Sequence, residues 1–156
     1  MKHLYRATSA INGSGLYTNK KLDIGDHVGF VHGPIHVIRT FTPTISQKIL
    51  NWIGVGRYSW IETTKSDFRA INHSCDPNVA IPTKRKVVAI KNIPADTELT
   101  MDYSLTDAEL GWSIDCSCGS KDCRGKIGPI QTLPKSFYLK HEEHIATNFK
   151  KIYLSS

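Results

Sequence analysis

The chain has 156 residues, of which 40% are hydrophobic and 22% are charged, and its formal net charge is +6. These values are typical of one globular domain with its own core, and they exclude an intrinsically disordered chain. No apolar run approaches the ~20 residues of a membrane span, which excludes a membrane-embedded protein. The N-terminal residues lack the apolar segment of a signal peptide. We therefore expect an intracellular protein, cytoplasmic or nuclear, whose cysteines are reduced or bound to metal.

Short strands dominate the predicted secondary structure. Gly, Pro and Asn residues interrupt the chain often enough to favour many short strands and few helices. Runs rich in Val, Ile and aromatic residues predict strands over residues 16–18, 27–31, 35–39, 58–62, 78–81, 86–90 and 98–101. The fold class is therefore predicted to be mostly β.

A glycine-rich segment precedes the first predicted strand. The run from Asn12 to Gly15 resembles part of a phosphate-binding loop, but it lacks the third glycine of a nucleotide fingerprint and no Lys-Ser or Lys-Thr pair follows. These absences exclude nucleotide phosphate binding. Two interpretations stay open, namely an ordinary hairpin turn and a turn whose glycines let a ligand approach the backbone closely.

The first predicted helix lies between residues 42 and 54. Thr42 can cap it, Pro43 suits its first position, and Gly54 ends it. Its apolar residues recur at helical spacing, at Ile45, Ile49, Leu50 and Ile53. This pattern favours packing against the core over a binding surface.

The four cysteines indicate a metal site. Three of them, Cys116, Cys118 and Cys123, have the spacing of metal ligands, and the remaining one is Cys75, within residues 69–78. A tetrahedral zinc site takes four ligands, so four thiolates on one ion would hold the C-terminal segment against the loop of Cys75. Reduced, unligated cysteines are the alternative. A redox role is disfavoured because the chain has no Cys-x-x-Cys pair.

Two polar residues of the 69–78 segment are candidates for contact with a ligand. Asn72 and the loop backbone offer amide and carbonyl groups that can bind the edge of a heterocycle. His73 has the chemistry of a general base or a metal ligand. A single histidine in such a turn is nevertheless more typical of a structural role, in which its ring hydrogen-bonds the loop to itself.

An acidic stretch follows this loop. No basic residue lies between Lys91 and Lys121, yet six of the fourteen acids do: Asp96, Glu98, Asp102, Asp107, Glu109 and Asp115. The stretch is predicted to attract a cation to the site, with a solvated acidic loop as the alternative. Tyr103 lies in this stretch at the end of a predicted strand, where its phenol can orient a polar group or simply pack.

The second predicted helix covers the C-terminal residues. Thr132 and Pro134 are its start signals. The residues that follow at a spacing of four are Phe137, His141, Ile145, Phe149 and Tyr153. This face, too, is predicted to pack against the core.

Taken in this order, the motifs resemble those of SET-domain protein lysine methyltransferases with a zinc-binding post-SET tail. The matching segments are residues 13–17, 69–78, 98–103 and 116–125. The resemblance covers about residues 10 to 127 and implies a β-clip fold of small curved sheets. In that fold, residues 98–103 pass the 72–75 loop in a pseudoknot, an exception to the usual avoidance of threading.

The same resemblance implies a division of the chain. A SET domain would occupy residues 1–110, and a post-SET zinc-binding segment would occupy residues 111–127. Residues 128–156 fall outside the resemblance, and we predict that they form a C-terminal helical appendage.

The activity implied by the resemblance is protein-lysine N-methylation. An enzyme of this family transfers a methyl group from S-adenosylmethionine to a lysine of a basic protein, and a histone-like substrate is a family-level expectation. The implied cofactor contacts are Ser14, Gly15, Asn72, His73 and Tyr103. The implied catalytic residue is Tyr103, and the implied ligands of a structural Zn²⁺ ion are Cys75, Cys116, Cys118 and Cys123.

Two other functions stay open from the sequence. The first is a non-catalytic, zinc-stabilised module that binds basic peptides. The second is a nucleic-acid-binding protein that uses residues 84–86 and the basic tail, which agrees with the net charge and is compatible with methylation of DNA-associated proteins.

Met101 bears on the number of methyl groups transferred. Many members of that family carry a Phe or Tyr at the corresponding place, where it limits the methyl count. A thioether has no hydroxyl group to hold a water molecule, so it should tolerate a bulkier amine. We therefore predict that multiple methylation is possible.

Overall fold

Short strands in small sheets form the framework of the protein. The computed structural model describes residues 3–42, 44–45, 49 and 51–156. In these ranges the first six strands are β1 (Leu4–Thr8), β2 (Ser14–Thr18), β3 (His27–Phe30), β4 (Ile35–Val37), β5 (Ile53–Gly56) and β6 (Ser59–Ile61). The other six are β7 (Asn72–His73), β8 (Val79–Ala80), β9 (Lys86–Ala89), β10 (Thr97–Met101), β11 (Ile114–Asp115) and β12 (Lys126–Ile127). The mostly β prediction is confirmed, and the seven predicted strands correspond to β2, β3, β4, β6, β8, β9 and β10.

One sheet brings the candidate site segments together. Its strand order is β1-β2-β10-β7, so the glycine-rich segment, the acidic strand and the 72–75 loop lie side by side. β10 pairs in parallel with β7, with Thr100 opposite Asn72 and Met101 opposite His73. Because β7 has only two residues and little strand pattern, its pairing depends on this tertiary contact.

Three smaller sheets complete the framework. Their orders are β3-β9-β8, β4-β6-β5 and β11-β12. Apolar side chains of the sheets β1-β2-β10-β7, β3-β9-β8 and β4-β6-β5 meet in one core. This core includes the fully buried Leu16, Val87 and Leu99. Burial of such aliphatic side chains stabilises the fold by roughly 1.5–3 kcal/mol each. A second apolar cluster joins the segment after β10 to the C-terminal residues.

The first predicted helix is shorter than its sequence pattern. Thr44, Ile45 and Ile49 have helical backbone, and the Thr42 hydroxyl accepts the Ile45 N–H at 3.3 Å as predicted for a cap. Pro43 and Leu50 lie outside the described residues. The predicted end at Ile53 and Gly54 is wrong, because both residues belong to β5.

Gly54 is required by packing at this strand. A Cβ at Gly54 would collide with the carbonyl oxygen of Thr106. β5 therefore packs directly on the 3₁₀ turn Tyr103–Thr106. This contact is why a strand replaces the end of the predicted helix.

The C-terminal segment forms two α-helices, and the single continuous helix predicted there is wrong. They are α1 (Lys135–His141) and α2 (Thr147–Leu154), with the 3₁₀ turn Glu142–His144 between them. Ile145 and Ala146 have extended backbone, which ends the first helical run. The predicted core packing is confirmed, since Phe137, His141, Ile145 and Phe149 are buried and Tyr153 packs against them. The break lets both short helices direct apolar side chains into one cluster.

The α-helices in the described part of the chain are short, with seven and eight residues. None of those in the described ranges is long and apolar enough to cross a bilayer. The division of the chain at residues 110 and 127 stays a prediction.

Candidate functional site

The glycine-rich segment is held by the side chain of Asn72. The Asn72 amide donates to the carbonyl oxygens of Asn12 and Ser14, each at 3.2 Å. Gly13 has a φ of 49°, a left-handed conformation that favours glycine, and it turns the chain into β2. The structure thus places Ser14 and Gly15 beside Asn72, as the predicted cofactor site requires. The Asn72 side chain, however, is already engaged with the loop.

Glu98 is the hub of this region, a role that the sequence analysis missed. Its carboxylate accepts hydrogen bonds from Ser9 at 2.8 and 2.9 Å, from Tyr17 at 3.3 Å and from Asn72 at 2.8 Å. Gly15 lies so close that a Cβ there would collide with this carboxylate. One charged group therefore ties the loop, β2 and β7 together.

We expect Glu98→Gln to lower the free energy of unfolding by about 1–3 kcal/mol. The glutamine amide nitrogen would face a hydroxyl or amide donor and leave one buried donor without an acceptor. Urea unfolding followed by circular dichroism measures the change. The matched control is Glu143→Gln, because the Glu143 side chain is 81% exposed. Equal stability of both variants would contradict a hub role.

The four cysteines lie in one cluster. The Cys75 and Cys116 sulfur atoms are 3.8 Å apart, and those of Cys116 and Cys123 are 3.7 Å apart. A regular tetrahedron with zinc–sulfur bonds of about 2.3 Å has an edge of about 3.8 Å. The Cys118 sulfur accepts the Cys75 N–H at 3.4 Å, and the Arg124 N–H donates to the Cys75 sulfur at 3.4 Å. The distances and the donor set therefore fit Zn²⁺.

The thiols of the cluster differ in how readily they lose a proton. Burial raises the pKa of Cys75 and of Cys116. For Cys118, burial is outweighed by hydrogen bonds from the Cys75 N–H and from Ser120, which lower its pKa to about 6. Metal binding to this cluster would release protons, because the ligands of Zn²⁺ are thiolates.

His73 connects the cysteine cluster to Tyr103. Together with three cysteines it also forms a group whose ligand atoms all lie within 4.8 Å of one another, namely His73, Cys75, Cys116 and Cys118. Its Nδ1 accepts the backbone N–H of Tyr103 at 3.2 Å. Burial lowers the pKa of His73 to about 4, so the ring is neutral near pH 7 and its single proton lies on Nε2. Nε2 is 3.3 Å from the Cys75 sulfur. This geometry favours His73 as a donor to a thiolate, and Cys123 stays the predicted fourth metal ligand.

A buried ion pair fixes the cysteine loop from its other side. An Arg124 nitrogen lies 2.8 Å from the Asp102 carboxylate, which is fully buried. The Arg124 guanidinium also lies 4.2 Å from the centre of the Phe137 ring. Separation of the two groups would leave a buried charge without a partner, at a cost of several kcal/mol. The pair therefore keeps its geometry. The C-terminal segment thus contributes to the position of the loop that follows Cys123.

A cavity of about 150 Å³ is lined by Tyr103 and by none of the four cysteines. Aromatic and aliphatic side chains form most of its wall: Ile49, Trp52, Ile53, Phe68, Ile71, Met101, Tyr103, Trp112 and Ile114. The charged residues of the wall are Arg69, Asp107 and Glu109. A mostly apolar cavity with a few convergent polar groups is typical of a ligand site.

Tyr103 lines this cavity and is firmly held. Its hydroxyl donates to the carbonyl oxygen of Ile71 at 2.8 Å, and its ring packs 5.3 Å from that of His73. Burial raises its pKa to about 12, so the phenol stays protonated near neutral pH. The hydroxyl oxygen keeps lone pairs that can accept from a polarised group in the cavity. Its assignment as the catalytic residue stays a prediction.

The acidic stretch contributes to the cavity selectively. Asp107 and Glu109 line it, whereas Asp102 binds Arg124 and Asp96 accepts from the Tyr5 hydroxyl at 3.0 Å. The sequence analysis singled out the stretch but not Asp107. The sequence contains one signal for Asp107, which is its position four residues after Tyr103 and beyond the end of the predicted strand.

Comparison with known proteins gives a consistent result. The sequence profile of the SET domain matches residues 13–104. Histone-lysine N-methyltransferase 2B of Homo sapiens is 30% identical over 132 residues, which cover 74% of this chain and 5% of that protein. Histone-lysine N-methyltransferase trithorax of Drosophila virilis is 32% identical over 132 residues, which cover 74% of this chain and 3% of that protein. The chain therefore spans a small fraction of the length of these relatives.

A solved structure shares the arrangement of strands. The crystal structure of KRYPTONITE in complex with mCHH DNA, H3(1-15) peptide and SAH superposes with a TM-score of 0.62 at 21% sequence identity. The match covers 80% of this chain and 29% of that chain. At this identity the similarity establishes the fold, and the predicted architecture of small sheets is confirmed.

Proposed function

Because the chain belongs to the SET-domain family, we propose that it is an S-adenosylmethionine-dependent protein-lysine N-methyltransferase acting on a basic protein segment. The two relatives compared above are named as histone-lysine N-methyltransferases, and the similar solved structure contains an H3(1-15) peptide and SAH. These names support a histone tail as the first substrate to test.

The observation that carries the proposal is the position of Tyr103. Tyr103 lines a mostly apolar cavity, and its hydroxyl group donates its hydrogen atom to the carbonyl oxygen of Ile71. The free lone pairs of the oxygen can accept from the amine that attacks or from the polarised C–H groups of a methyl in transfer. A fixed acceptor of this kind lowers the barrier, because it needs no rearrangement during the reaction.

The apolar wall of the cavity serves the deprotonation of lysine. The amine attacks in its neutral form, and with an unperturbed pKa of about 10.4 its deprotonation at pH 7 costs roughly 4 to 5 kcal/mol. Phe68, Ile71 and Met101 keep water away from the inner part of the cavity. Desolvation lowers the pKa of an ammonium group and so reduces this cost. Tyr103 need not act as the base, since the proton can leave through water.

The glycine-rich segment fits the methionyl part of the cofactor. Ser14 is exposed at the start of β2, and the neighbouring Glu98 carboxylate would suit the α-ammonium group of an amino acid. In the proposal Ser14, Gly15, Asn72 and His73 hold the cofactor beside Tyr103. When bound, S-adenosylmethionine supplies an electrophilic methyl group on a sulfonium. The residues of the chain hold and orient the two reactants.

The cysteine cluster has a structural role in this proposal. Four thiolates leave no open position on a tetrahedral zinc ion, which is typical of structural sites. Cys75, Cys116, Cys118 and Cys123 would hold the ion and keep the 116–125 loop against His73. The ion itself takes no part in the transfer.

A methyl-transfer assay tests the proposed function. The purified chain is incubated with radiolabelled S-adenosylmethionine and a panel of basic proteins that includes core histones and an H3(1-15) peptide. We expect label on lysine residues of at least one substrate. Cofactor and peptide binding without any transfer would instead support a non-catalytic module that binds basic peptides.

Met101 gives a prediction about the product. Its side chain is buried and lines the cavity wall. Without a hydroxyl at this position, we expect mass spectrometry to show dimethyl- or trimethyl-lysine on the peptide. Met101→Tyr is expected to shift the product towards monomethyl-lysine. A purely monomethyl product from the wild-type protein would refute this prediction.

A further inference from the structure

We infer that Asp107 is the anionic receptor for the ammonium group of the substrate lysine. The inference deepens the proposed function and rests on it for the identity of the ligand. Asp107 directly follows the 3₁₀ turn that begins at Tyr103, and both residues line the same cavity. A cation that enters this cavity meets the carboxylate and the phenol on neighbouring parts of one short segment.

The charge of Asp107 has no cationic partner in the described part of the chain. Its two carboxylate oxygens accept from neutral donors, one from the Trp60 indole at 2.9 Å and the other from the Glu109 N–H at 2.8 Å. No Lys, Arg or His of the described residues forms an ion pair with it. A carboxylate in a partly dehydrated wall gains more from a cation than one in water does.

Burial is the largest influence on Asp107. It raises the pKa of the carboxyl group, although hydrogen bonds from the Glu109 backbone and from the Trp60 and Trp112 side chains oppose it. A bound ammonium ion would offset the cost of burying this charge. A lysine side chain in this cavity would therefore match the Asp107 carboxylate in both sign and place.

The neighbours of Asp107 agree with a cation as the ligand. Trp52 and Trp112 belong to the same wall, and indole rings are groups that attract ammonium ions. The Trp52 ring also stacks on His36, with the ring centres 4.6 Å apart. Arg69 is the one basic residue that the described part of the chain contributes to this wall, and it is exposed. Glu109 also lines the cavity and accepts the Gly111 N–H at 2.7 Å. We assign Asp107 as the primary receptor because it directly follows the turn of Tyr103 and because burial is the largest influence on its carboxylate.

The role assigned to Asp107 is in binding and not in methyl transfer. A carboxylate stabilises the ammonium form of lysine, which is the form that arrives and not the form that reacts. Loss of its charge should therefore raise the KM for the peptide without lowering kcat. A merely structural role would lower both stability and kcat.

The test uses the full chain with its methionine methyl groups labelled with ¹³C. The chain has two methionines, Met1 and Met101, so Met101 gives a readily assigned NMR signal from the cavity wall. The probes are n-butylammonium, which mimics the lysine side chain, and the neutral 1-butanol. We expect n-butylammonium to shift the Met101 signal saturably. Asp107→Asn should weaken its binding at least about tenfold, the effect of one lost charged hydrogen bond.

Two matched variants accompany Asp107→Asn. Glu143→Gln removes a charge on a side chain that is 81% exposed and does not line the cavity, so it should change n-butylammonium affinity less than about twofold. The neutral 1-butanol should bind all variants alike. Equal affinity of the wild type and Asp107→Asn for n-butylammonium, or no saturable shift in the wild type, overturns the inference. If Asp107→Asn loses both probes, Asp107→Glu decides. Restored n-butylammonium binding supports the receptor role, and its absence overturns it.

Failure of this inference is distinguishable from failure of the proposed function. Methyl transfer by the wild type with an unchanged peptide KM in Asp107→Asn overturns the receptor role alone. Binding of n-butylammonium that depends on Asp107, without any methyl transfer, overturns the proposed enzyme and keeps the cation site.

Discussion

Tyr103→Phe is expected to lower kcat for methyl transfer by roughly two to three orders of magnitude, the range seen when one preorganised polar group is removed from a transition state. The substitution removes the hydroxyl group of a residue that lines the cavity, and this group is fixed by its hydrogen bond to Ile71. The affinity for the cofactor should change by less than about threefold, because the ring and its contact with His73 are kept. Single-turnover kinetics and calorimetric titration with the cofactor measure the two effects separately.

The matched control for this prediction is Tyr58→Phe. Tyr58 is 40% exposed and does not line the cavity, so the same loss of a hydroxyl should leave kcat unchanged. Equal losses of turnover and cofactor affinity in Tyr103→Phe would argue against a role in the transition state. A folding defect is recognised by thermal unfolding, where loss of the bond to Ile71 should cost about 1 kcal/mol.

The pH dependence gives a second readout for Tyr103. Its pKa is raised to about 12 by burial, so the phenol stays protonated between pH 7 and pH 10. In this range the rate should rise with pH because the fraction of neutral lysine rises. Tyr103→Phe should therefore have a lower rate but the same shape of profile. A rising limb that disappears in this variant would show that Tyr103 itself titrates.

Loss of the metal is expected to have the largest effect on stability. We expect one zinc ion per chain by elemental analysis. Cys116→Ser should lose it, because the Cys116 sulfur lies within 3.8 Å of two other cysteine sulfurs. Closed zinc sites contribute many kcal/mol to folding, so the melting temperature should fall by roughly 10 °C or more. Activity should fall with it, since the 116–125 loop would no longer hold His73 and Tyr103.

Paired variants identify the fourth metal ligand. Cys123→Ser should release the ion, whereas His73→Ala should retain it, because the proton on Nε2 directs His73 to donate to Cys75. The opposite result would make His73 the ligand in place of Cys123. Ser117→Ala is the control within the loop, since Ser117 is exposed and should keep the metal.

Side-chain contacts connect the cysteine cluster to Tyr103. His73 contacts the sulfur of Cys75 with one ring nitrogen and the backbone of Tyr103 with the other. Arg124 joins the loop after Cys123 to Asp102, which directly precedes Tyr103. A disturbance of the cysteine cluster therefore reaches Tyr103 by two short paths. This arrangement explains why the metal is expected to affect turnover without taking part in the chemistry.

The sequence alone determined the local patterns of this protein. Runs rich in Val, Ile and aromatic residues predicted seven of its strands, and cysteine spacing predicted the metal cluster. Order along the chain connected the glycine-rich segment, Asn72 and Tyr103 to one family. Each of these signals depends on residues near one another in the chain or on a count of residue types, so each can be recognised without coordinates.

Only the tertiary structure decided how the site is assembled. β7 forms because β10 lies beside it, and β5 replaces the end of a predicted helix because Gly54 packs against Thr106. Glu98 and Asp107 owe their roles to partners from distant segments, among them Ser9 and Trp60. Hydrogen bonding and desolvation of a carboxylate depend on what surrounds it in space. A spacing pattern cannot give that information, which is why the sequence indicated an acidic stretch but not which of its acids faces the cavity.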